Sequence, residues 1–301
     1  KGTPLMHAAA AGHLDIVKLL VEVGVNIGME SDQGNTALDI ARREDKVDVV
    51  KFQKRNSREL LSEEVYKAPH PNPMHAYGET YGEHREFLEM DLEQHRQLKA
   101  WCEQYGVVYS ASVWDMTSAK EIASLEPDLI KIPSACNLKY DMLGWLCENY
   151  KGEIHLSFGM TTRSEEEEIV RFFEKHGRAE DLVLYSCTSG YPVAFEDICL
   201  YEITRLRESF EDRVKMIGFS GHHLGIAADV AAMALGATWI ERHFTLDRTW
   251  KGTDHSASLE PDGLSRLVRD VRNVSKAMSF KSTDLLPCEQ VQRDKLKRRN
   301  G

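Results

Sequence analysis

The sequence lacks any long apolar run: nothing approaches the ~18 consecutive apolar residues of a bilayer-spanning helix. Its opening residues, Lys1 to Pro4, have no basic-then-apolar leader pattern. Cysteines are few and form no framework. The six (Cys102, Cys136, Cys147, Cys187, Cys199 and Cys288) are scattered, several of them in apolar strand-like stretches, so they read as reduced core thiols in a reducing compartment. Positive charge is also short. A formal net charge of -10, with one short terminal basic cluster over 295–299, argues against a nucleic-acid surface. These absences leave a cytoplasmic protein with neither membrane nor nucleic acid as its partner, acting on a small molecule.

What is present fills 301 residues at 42% hydrophobic content, enough for one large core. The first segment repeats on itself. Thr3-Pro4-Leu5 returns 33 positions later as Thr36-Ala37-Leu38, and Asp15-Ile16-Val17-Lys18 returns at the same offset as Asp48-Val49-Val50-Lys51. That is the ankyrin period, and the stretch from Gly2 to Gly24 resembles an ankyrin helix pair. About two copies are visible, whereas about three must stack to bury their faces, so the segment needs either further repeats or a neighbouring domain to lie against.

From about residue 48 the texture changes to short apolar runs alternating with longer amphipathic stretches, the pattern of βα units around a parallel sheet. Seven runs stand out, at 48–53, 107–112, 129–134, 154–159, 182–188, 216–220 and 238–244. Helical stretches lie between them, among them 92–105, 164–176 and 195–210. The spacing predicts a TIM-type β/α barrel, and with eight strands needed for closure one strand is out of view. The polar, aromatic-rich stretch 72–88 reads as a long loop over one mouth. Glu165 to Glu168 read as a solvated helix start near a positive N-terminal dipole.

Chemistry shows where polar groups interrupt these strands. Lys131 sits inside Asp-Leu-Ile-Lys-Ile-Pro and Lys51 follows Val-Asp-Val-Val. A lysine in a buried strand is costly without an anion to pair with it, so the two point to a bound carboxylate and phosphate, the other reading of Lys131 being a lysine that snorkels to the surface. Lys51 is also the repeat counterpart of Lys18, an ordinary surface lysine of an ankyrin helix. His222 and His243 each end an apolar strand, where barrel enzymes build their sites; on spacing alone the two imidazoles read either as satisfied core histidines or as an open site for a divalent ion. His223 is the bystander of its pair. Hydroxyls gather at the same strand ends (Ser110, Ser112, Ser134, Ser157, Thr188, Ser189 and Ser220), as a phosphate site requires, although each alone is common where a strand turns. Asp254 lies in the polar loop after the last run, where it can accept sugar hydroxyls or cap the next helix.

Taken in order, Lys51-Phe-Gln53, Tyr77 to His84, Lys131-Ile-Pro-Ser134, Ser157-Phe-Gly-Met160, Cys187-Thr-Ser-Gly-Tyr-Pro192, Gly218-Phe-Ser-Gly-His222, Glu241-Arg-His243 and Trp250 to Pro261 resemble the successive barrel signatures of the sialic acid synthase family. Many motifs in register are far more specific than one. The resemblance covers roughly residues 47–290. It implies a metal-dependent condensation of phosphoenolpyruvate with an N-acetylated hexosamine, N-acetylmannosamine or its 6-phosphate, with phosphate released by C–O cleavage. It also implies that His222 and His243 ligate the metal, Mn²⁺ first and Mg²⁺ or Co²⁺ as alternatives. Lys51, Lys131, Ser134 and Ser220 resemble the phosphoenolpyruvate clamp, joined by Ser110, Ser157 and Ser189, while Gln53, Tyr191 and Asp254 match positions that contact the sugar.

The sequence departs from the family pattern at three places. Ankyrin-type sequence stands where the first barrel strand carries an acidic residue, with Val25-Asn-Ile-Gly28 a faint echo of it. Cys136 stands where many members have a sugar-contacting acid. Leu285-Leu-Pro-Cys-Glu289 resembles the linker to an antifreeze-like domain that lends an arginine across a homodimer, and the chain as given stops short of that domain. The expected organisation is an ankyrin segment over 1–46, a barrel over 47–280 and a linker over 281–301. The second reading is a catalytically incomplete barrel that serves as a protein-binding scaffold through its ankyrin repeats.

Overall fold

The computed structural model describes residues 47–297 apart from 251 and 253. The expected ankyrin segment and its faint first-strand echo lie outside the described residues.

Seven strands form one sheet: β1 Val49–Lys54, β2 Val108–Val113, β3 Leu129–Ile132, β4 Glu153–Ser157, β5 Leu182–Cys187, β6 Met216–Gly221 and β7 Trp239–Arg242. Every neighbouring pair is parallel and the spatial order follows the sequence. This is the β/α-barrel arrangement, and the strands fall on the seven apolar runs. The helices are α1 Ser57–Leu60, α2 Glu63–Lys67, α3 Tyr81–Phe87, α4 Leu92–Tyr105, α5 Met116–Ala123, α6 Tyr140–Asn149, α7 Arg163–Lys175, α8 Tyr201–Phe210, α9 Ala227–Ala234, α10 Pro261–Ala277 and α11 Pro287–Leu296. The last lies within the stretch expected to be linker.

Alternation along the strands decides which side faces what. Ala111, Val113, Ile130, Ile132, Ile154, Leu156, Leu184 and Phe219 are buried on one face. They share a single core with Ile122, Leu143, Leu146, Ile169, Phe173, Ile203 and Leu206 of the surrounding helices. Each Val, Leu, Ile or Phe among them contributes roughly 1.5–3 kcal/mol on burial. The intervening positions are polar and point to the other face: Lys51, Ser110, Ser112, Lys131, His155, Ser157, Tyr185, Ser220 and Glu241. Register keeps them level, with Ser112 opposite Lys131, Lys131 opposite His155, and Ser220 opposite Glu241.

The sheet curls until its edges approach, since Lys51 of β1 and Glu241 of β7 come within 3.7 Å. Among the described residues β1 and β7 remain the two edges. Past β7 the curl continues as one parallel bridge, in which Leu259 N–H donates to His243 O at 2.8 Å and Thr245 N–H to Leu259 O at 2.9 Å.

Two expectations are corrected. The stretch 72–88 is not a plain loop: it holds a 3₁₀ turn, Pro73–His75, and α3. The helix starts at a capping box in which Thr80 and Glu83 satisfy each other's backbone N–H groups. Its Gly82 lies flat against Tyr66, where a Cβ would come within 2.3 Å of the ring. Nor are all six cysteines core residues. Cys102, Cys136 and Cys147 are buried and Cys187 partly so, but Cys199 and Cys288 are exposed, and none is paired in a disulfide. The four glutamates do open α7, where Thr162 and Glu165 form a capping box; Glu166, however, is buried against Arg205 at 2.9 Å.

Candidate active site

The inner ends of the strands bring two lysines onto one carboxylate. Lys131, a β3 residue with a fully buried side chain, places Nζ 3.2 Å from Glu241 of β7, and Lys51 approaches the same carboxyl oxygen at 3.7 Å. The Ser220 hydroxyl donates to the other Glu241 oxygen at 2.9 Å, and Lys51 Nζ donates to Ser112 Oγ at 3.0 Å. Burial alone would raise the Glu241 carboxyl, but Lys131 and Lys51 more than reverse this and hold it well below the ordinary carboxylate range. Burial draws the Lys131 ammonium down to about 8, with Glu241 opposing the fall and Lys51 adding to it. Glu241, at 3.2 Å, is the acceptor nearest Lys131 Nζ, and among the described residues no further acceptor is placed to use the rest of its N–H groups. A buried cation with unused donors has the chemistry to receive an anion. The double pattern at Lys51 is also settled: it is a residue of β1 on the sheet's inner face.

Beside the lysines the hydroxyls form a cradle around Gly159, just past β4. Gly159 N–H donates to Ser134 Oγ at 3.0 Å. A Cβ at Gly159 would stand 2.6 Å from Ser134 Oγ and 2.3 Å from Ser189 Oγ, so this backbone approaches both hydroxyls as only glycine allows. Ser134 also reaches Cys187 Sγ at 3.8 Å. Ser157 is buried on the same face. Ser110 sits one layer deeper and spends its hydroxyl on Leu129 O at 3.1 Å; Ser112 is the β2 hydroxyl that meets a lysine. Gln53 follows Lys51 by two residues and shares its face.

The histidines stand further out, at the mouth. The His222 and His243 rings have centroids 5.1 Å apart, and Tyr191 covers them at 4.4 Å and 5.8 Å. His222 Nδ1–H donates to Thr188 O at 2.9 Å, which leaves Nε2 as the free lone pair. Burial lowers His222 despite the Thr188 carbonyl, and draws His243 down to about 4 despite Asp254, whose carboxylate is 3.7 Å from Nδ1. Both rings are therefore neutral near pH 7, the form that binds a metal. No group of three His, Cys, Asp or Glu side chains converges as a metal cage among the described residues. The pair fits an open site completed by water or substrate. His223 turns away, lying 3.3 Å from buried Asp229 and 3.2 Å from Arg242. The Cys136 thiol donates to Trp114 O at 3.3 Å, and burial pushes it up to about 11, so it offers neither charge nor reactivity.

A parallel β/α barrel with buried lysines, converging hydroxyls and an imidazole pair at the strand ends defines an enzyme of anionic substrates. The chain belongs to the NeuB family, which it matches over residues 38–283. Residues 1–53 match ankyrin repeats. The chain is 34% identical over 278 residues to the human N-acetylneuraminate-9-phosphate synthase, covering 92% of this chain and 76% of that protein. It is 33% identical over 263 residues to the N,N'-diacetyllegionaminic acid synthase of Campylobacter jejuni, covering 86% and 77%. Among solved structures, the N-acetylneuraminic acid synthetase of Leptospira borgpetersenii, in complex with citrate, superposes with a TM-score of 0.70 at 26% identity, covering 87% of this chain and 86% of that one.

The sequence placed Glu241 within a motif but gave it no role, and it showed Ser112 among the strand-end hydroxyls while only Ser110 was joined to the clamp. The signal for both was strand alternation. Glu241 precedes His243 by two residues and so shares its face, and Ser112 stands opposite Lys131 in register.

Proposed function

We propose that this chain condenses phosphoenolpyruvate with an N-acetylated hexosamine, N-acetylmannosamine or its 6-phosphate, to give a sialic or related nonulosonic acid and free phosphate. The observation that carries this reading is Lys131, a fully buried ammonium that shares its one nearby carboxylate among the described residues with Lys51, at the head of a hydroxyl cradle. Family membership and the synthases among its relatives support the same chemistry.

Lys51, Lys131, Ser134 and Ser220 hold the phosphate and carboxylate of phosphoenolpyruvate, with Ser110, Ser157 and Ser189 behind them. Gln53, Tyr191 and Asp254 orient the open-chain sugar at the mouth. The enol carbon attacks the aldehyde carbon, a C–C bond forms, and the aldehyde oxygen takes a proton. Water then adds to the oxocarbenium carbon, and the tetrahedral adduct collapses to the ketone as the C–O bond to phosphate breaks. Holding both partners in reach supplies much of the rate. His222 and His243 would hold a divalent ion, Mn²⁺ first and Mg²⁺ or Co²⁺ otherwise, which polarises the aldehyde as a Lewis acid. Asp254, 3.7 Å from His243, accepts from the sugar hydroxyls and holds the sugar at the mouth.

In this reading the barrel unit runs over 47–280, the protein works in the cytoplasm as a homodimer, and the ankyrin repeats engage a protein partner. No helix among the described residues is long and apolar enough to cross a membrane. The test is phosphate release by the purified chain given phosphoenolpyruvate, Mn²⁺ and either N-acetylmannosamine or its 6-phosphate, with an EDTA control. Release that needs both metal and sugar supports the synthase and names its substrate. A folded chain that releases none favours the second reading, a barrel that has lost catalysis and serves the ankyrin repeats as scaffold.

A further inference from the structure

A buried ammonium that must bind an anion needs stabilisation that does not cancel its charge. Among the described residues Lys131 has one carboxylate within ion-pair reach, Glu241, and shares it with Lys51. Its other close neighbour is an aromatic face: Nζ stands 3.4 Å from the centroid of the Tyr185 ring on β5. A second carboxylate there would neutralise the field that an incoming anion must feel. A ring stabilises the cation through its quadrupole and leaves the charge in place.

The ring is held from below. Tyr185 OH lies 2.8 Å from His155 Nδ1, His155 Nε2 lies 3.1 Å from Glu153, and Lys215 Nζ donates to Glu153 at 2.7 Å. Burial would raise the Glu153 carboxyl, but the donors Lys215 and His155 hold it below its ordinary value, so it is ionised near neutrality and can only accept. His155 Nε2 therefore carries the hydrogen, and Nδ1 accepts from the tyrosine hydroxyl. A phenol that donates its hydrogen becomes more electron-rich, which deepens the negative face that it presents to Lys131. Burial keeps His155 neutral, drawn down to about 4, so no second positive charge competes. Room for the ring comes from Gly218 on β6, where a Cβ would stand 2.9 Å from both Tyr185 and Trp239. Trp239 closes the floor with its ring edge-on to His155 at 4.7 Å.

We infer that Tyr185 is a positioning residue for the anion-binding lysine: its ring, aimed by His155 and Glu153, keeps Lys131 charged and in place without neutralising it. This rests on reading Lys131 as a phosphoenolpyruvate ligand. Phosphoenolpyruvate affinity then depends on the electron density of the ring at position 185.

The test replaces Tyr185 in the full chain by phenylalanine and by phenylalanines carrying one and three ring fluorines. All of these preserve the ring's shape while draining its face. Phosphoenolpyruvate binding is measured by calorimetry, and folding by thermal melting. The expected result is a graded loss, about tenfold from phenylalanine to the trifluoro ring, that disappears in a Lys131→Met background. Equal affinity across a folded series, with the unmodified chain still binding phosphoenolpyruvate, overturns the inference alone. If the unmodified chain does not bind phosphoenolpyruvate, or Lys131→Met binds it equally well, the reading of the site falls and this inference with it.

Discussion

Lys51 on the first described strand and Glu241 on the last lie 3.7 Å apart, and Glu241 is at the same time 3.2 Å from Lys131. One carboxylate thus links three strands across the curled sheet. It balances one of the two lysine charges, and the remaining positive charge is what an anionic substrate meets.

Glu241→Gln is expected to destabilise the fold, because it strands a buried ammonium. Breaking a fully buried pair costs about 3–5 kcal/mol; since Glu241 keeps some solvent contact, about 2 kcal/mol is the reasonable figure. In a chain of this size that lowers Tm by roughly 4–8 °C. Added phosphate should restore much of the loss by taking the carboxylate's place, so melting curves with and without phosphate check the claim. The pH sign also follows. The folded-state carboxyl lies well below 4.5, so its contribution is fully present above about pH 4.5 and is lost as pH falls toward the folded value. The glutamine variant should lack that acid limb.

Much of this was legible in the sequence. Seven apolar runs became seven strands because β/α units bury their outer faces fully, and hydrophobic runs report that directly. Lys131 was conspicuous as a charge where only apolar residues belong. Glu241 was not, because its strand, Trp-Ile-Glu-Arg, carries two charged residues of opposite fate: Glu241 turns inward to the lysines, while Arg242 turns outward to buried Asp229. A linear pattern shows that charges are present but not which partner each one finds. Helix α3 was hidden in a polar aromatic stretch because its start depends on the Thr80–Glu83 cap and its packing on Gly82 against Tyr66, neither of which leaves a periodic apolar trace.

Phosphoenolpyruvate binding should weaken as pH rises through about 8. Lys131, faced by Glu241, Lys51, Cys187 and the Tyr185 ring, has its ammonium drawn down to about 8 by burial, so above that pH the free site loses a positive charge. Affinity should fall about tenfold per pH unit beyond it. The dissociation constant measured from pH 7 to 9.5 checks this; a flat profile would mean that Lys131 stays charged or takes no part.

Gly159→Ala should injure the cradle and spare the fold. The new methyl would stand 2.3 Å from Ser189 Oγ and 2.6 Å from Ser134 Oγ, hydroxyls that can rotate away, and 3.2 Å from Ser134 Cβ, which must give by a few tenths of an ångström. The backbone survives, but the hydroxyls no longer converge. The expected outcome is a rise in KM for phosphoenolpyruvate of about tenfold, as for the loss of one charge-assisted hydrogen bond, with Tm nearly unchanged. If both substrates' KM values rise together, the cradle does not belong to phosphoenolpyruvate alone.

His243→Ala separates the mouth of the site from its floor. The His222 and His243 rings, 5.1 Å apart and both kept neutral by burial, stand outside the lysine–carboxylate cluster. Removing one imidazole from a two-histidine site should weaken Mn²⁺ binding on the order of 100-fold and abolish metal-dependent phosphate release. Phosphoenolpyruvate binding measured in EDTA should stay within about twofold, because Lys51, Lys131 and Ser220 are untouched. Calorimetric titration of metal and of phosphoenolpyruvate into the variant reads the two effects separately. Intact metal binding would reassign the histidines to substrate contact, and loss of both affinities would mean that the mouth and floor form one coupled site.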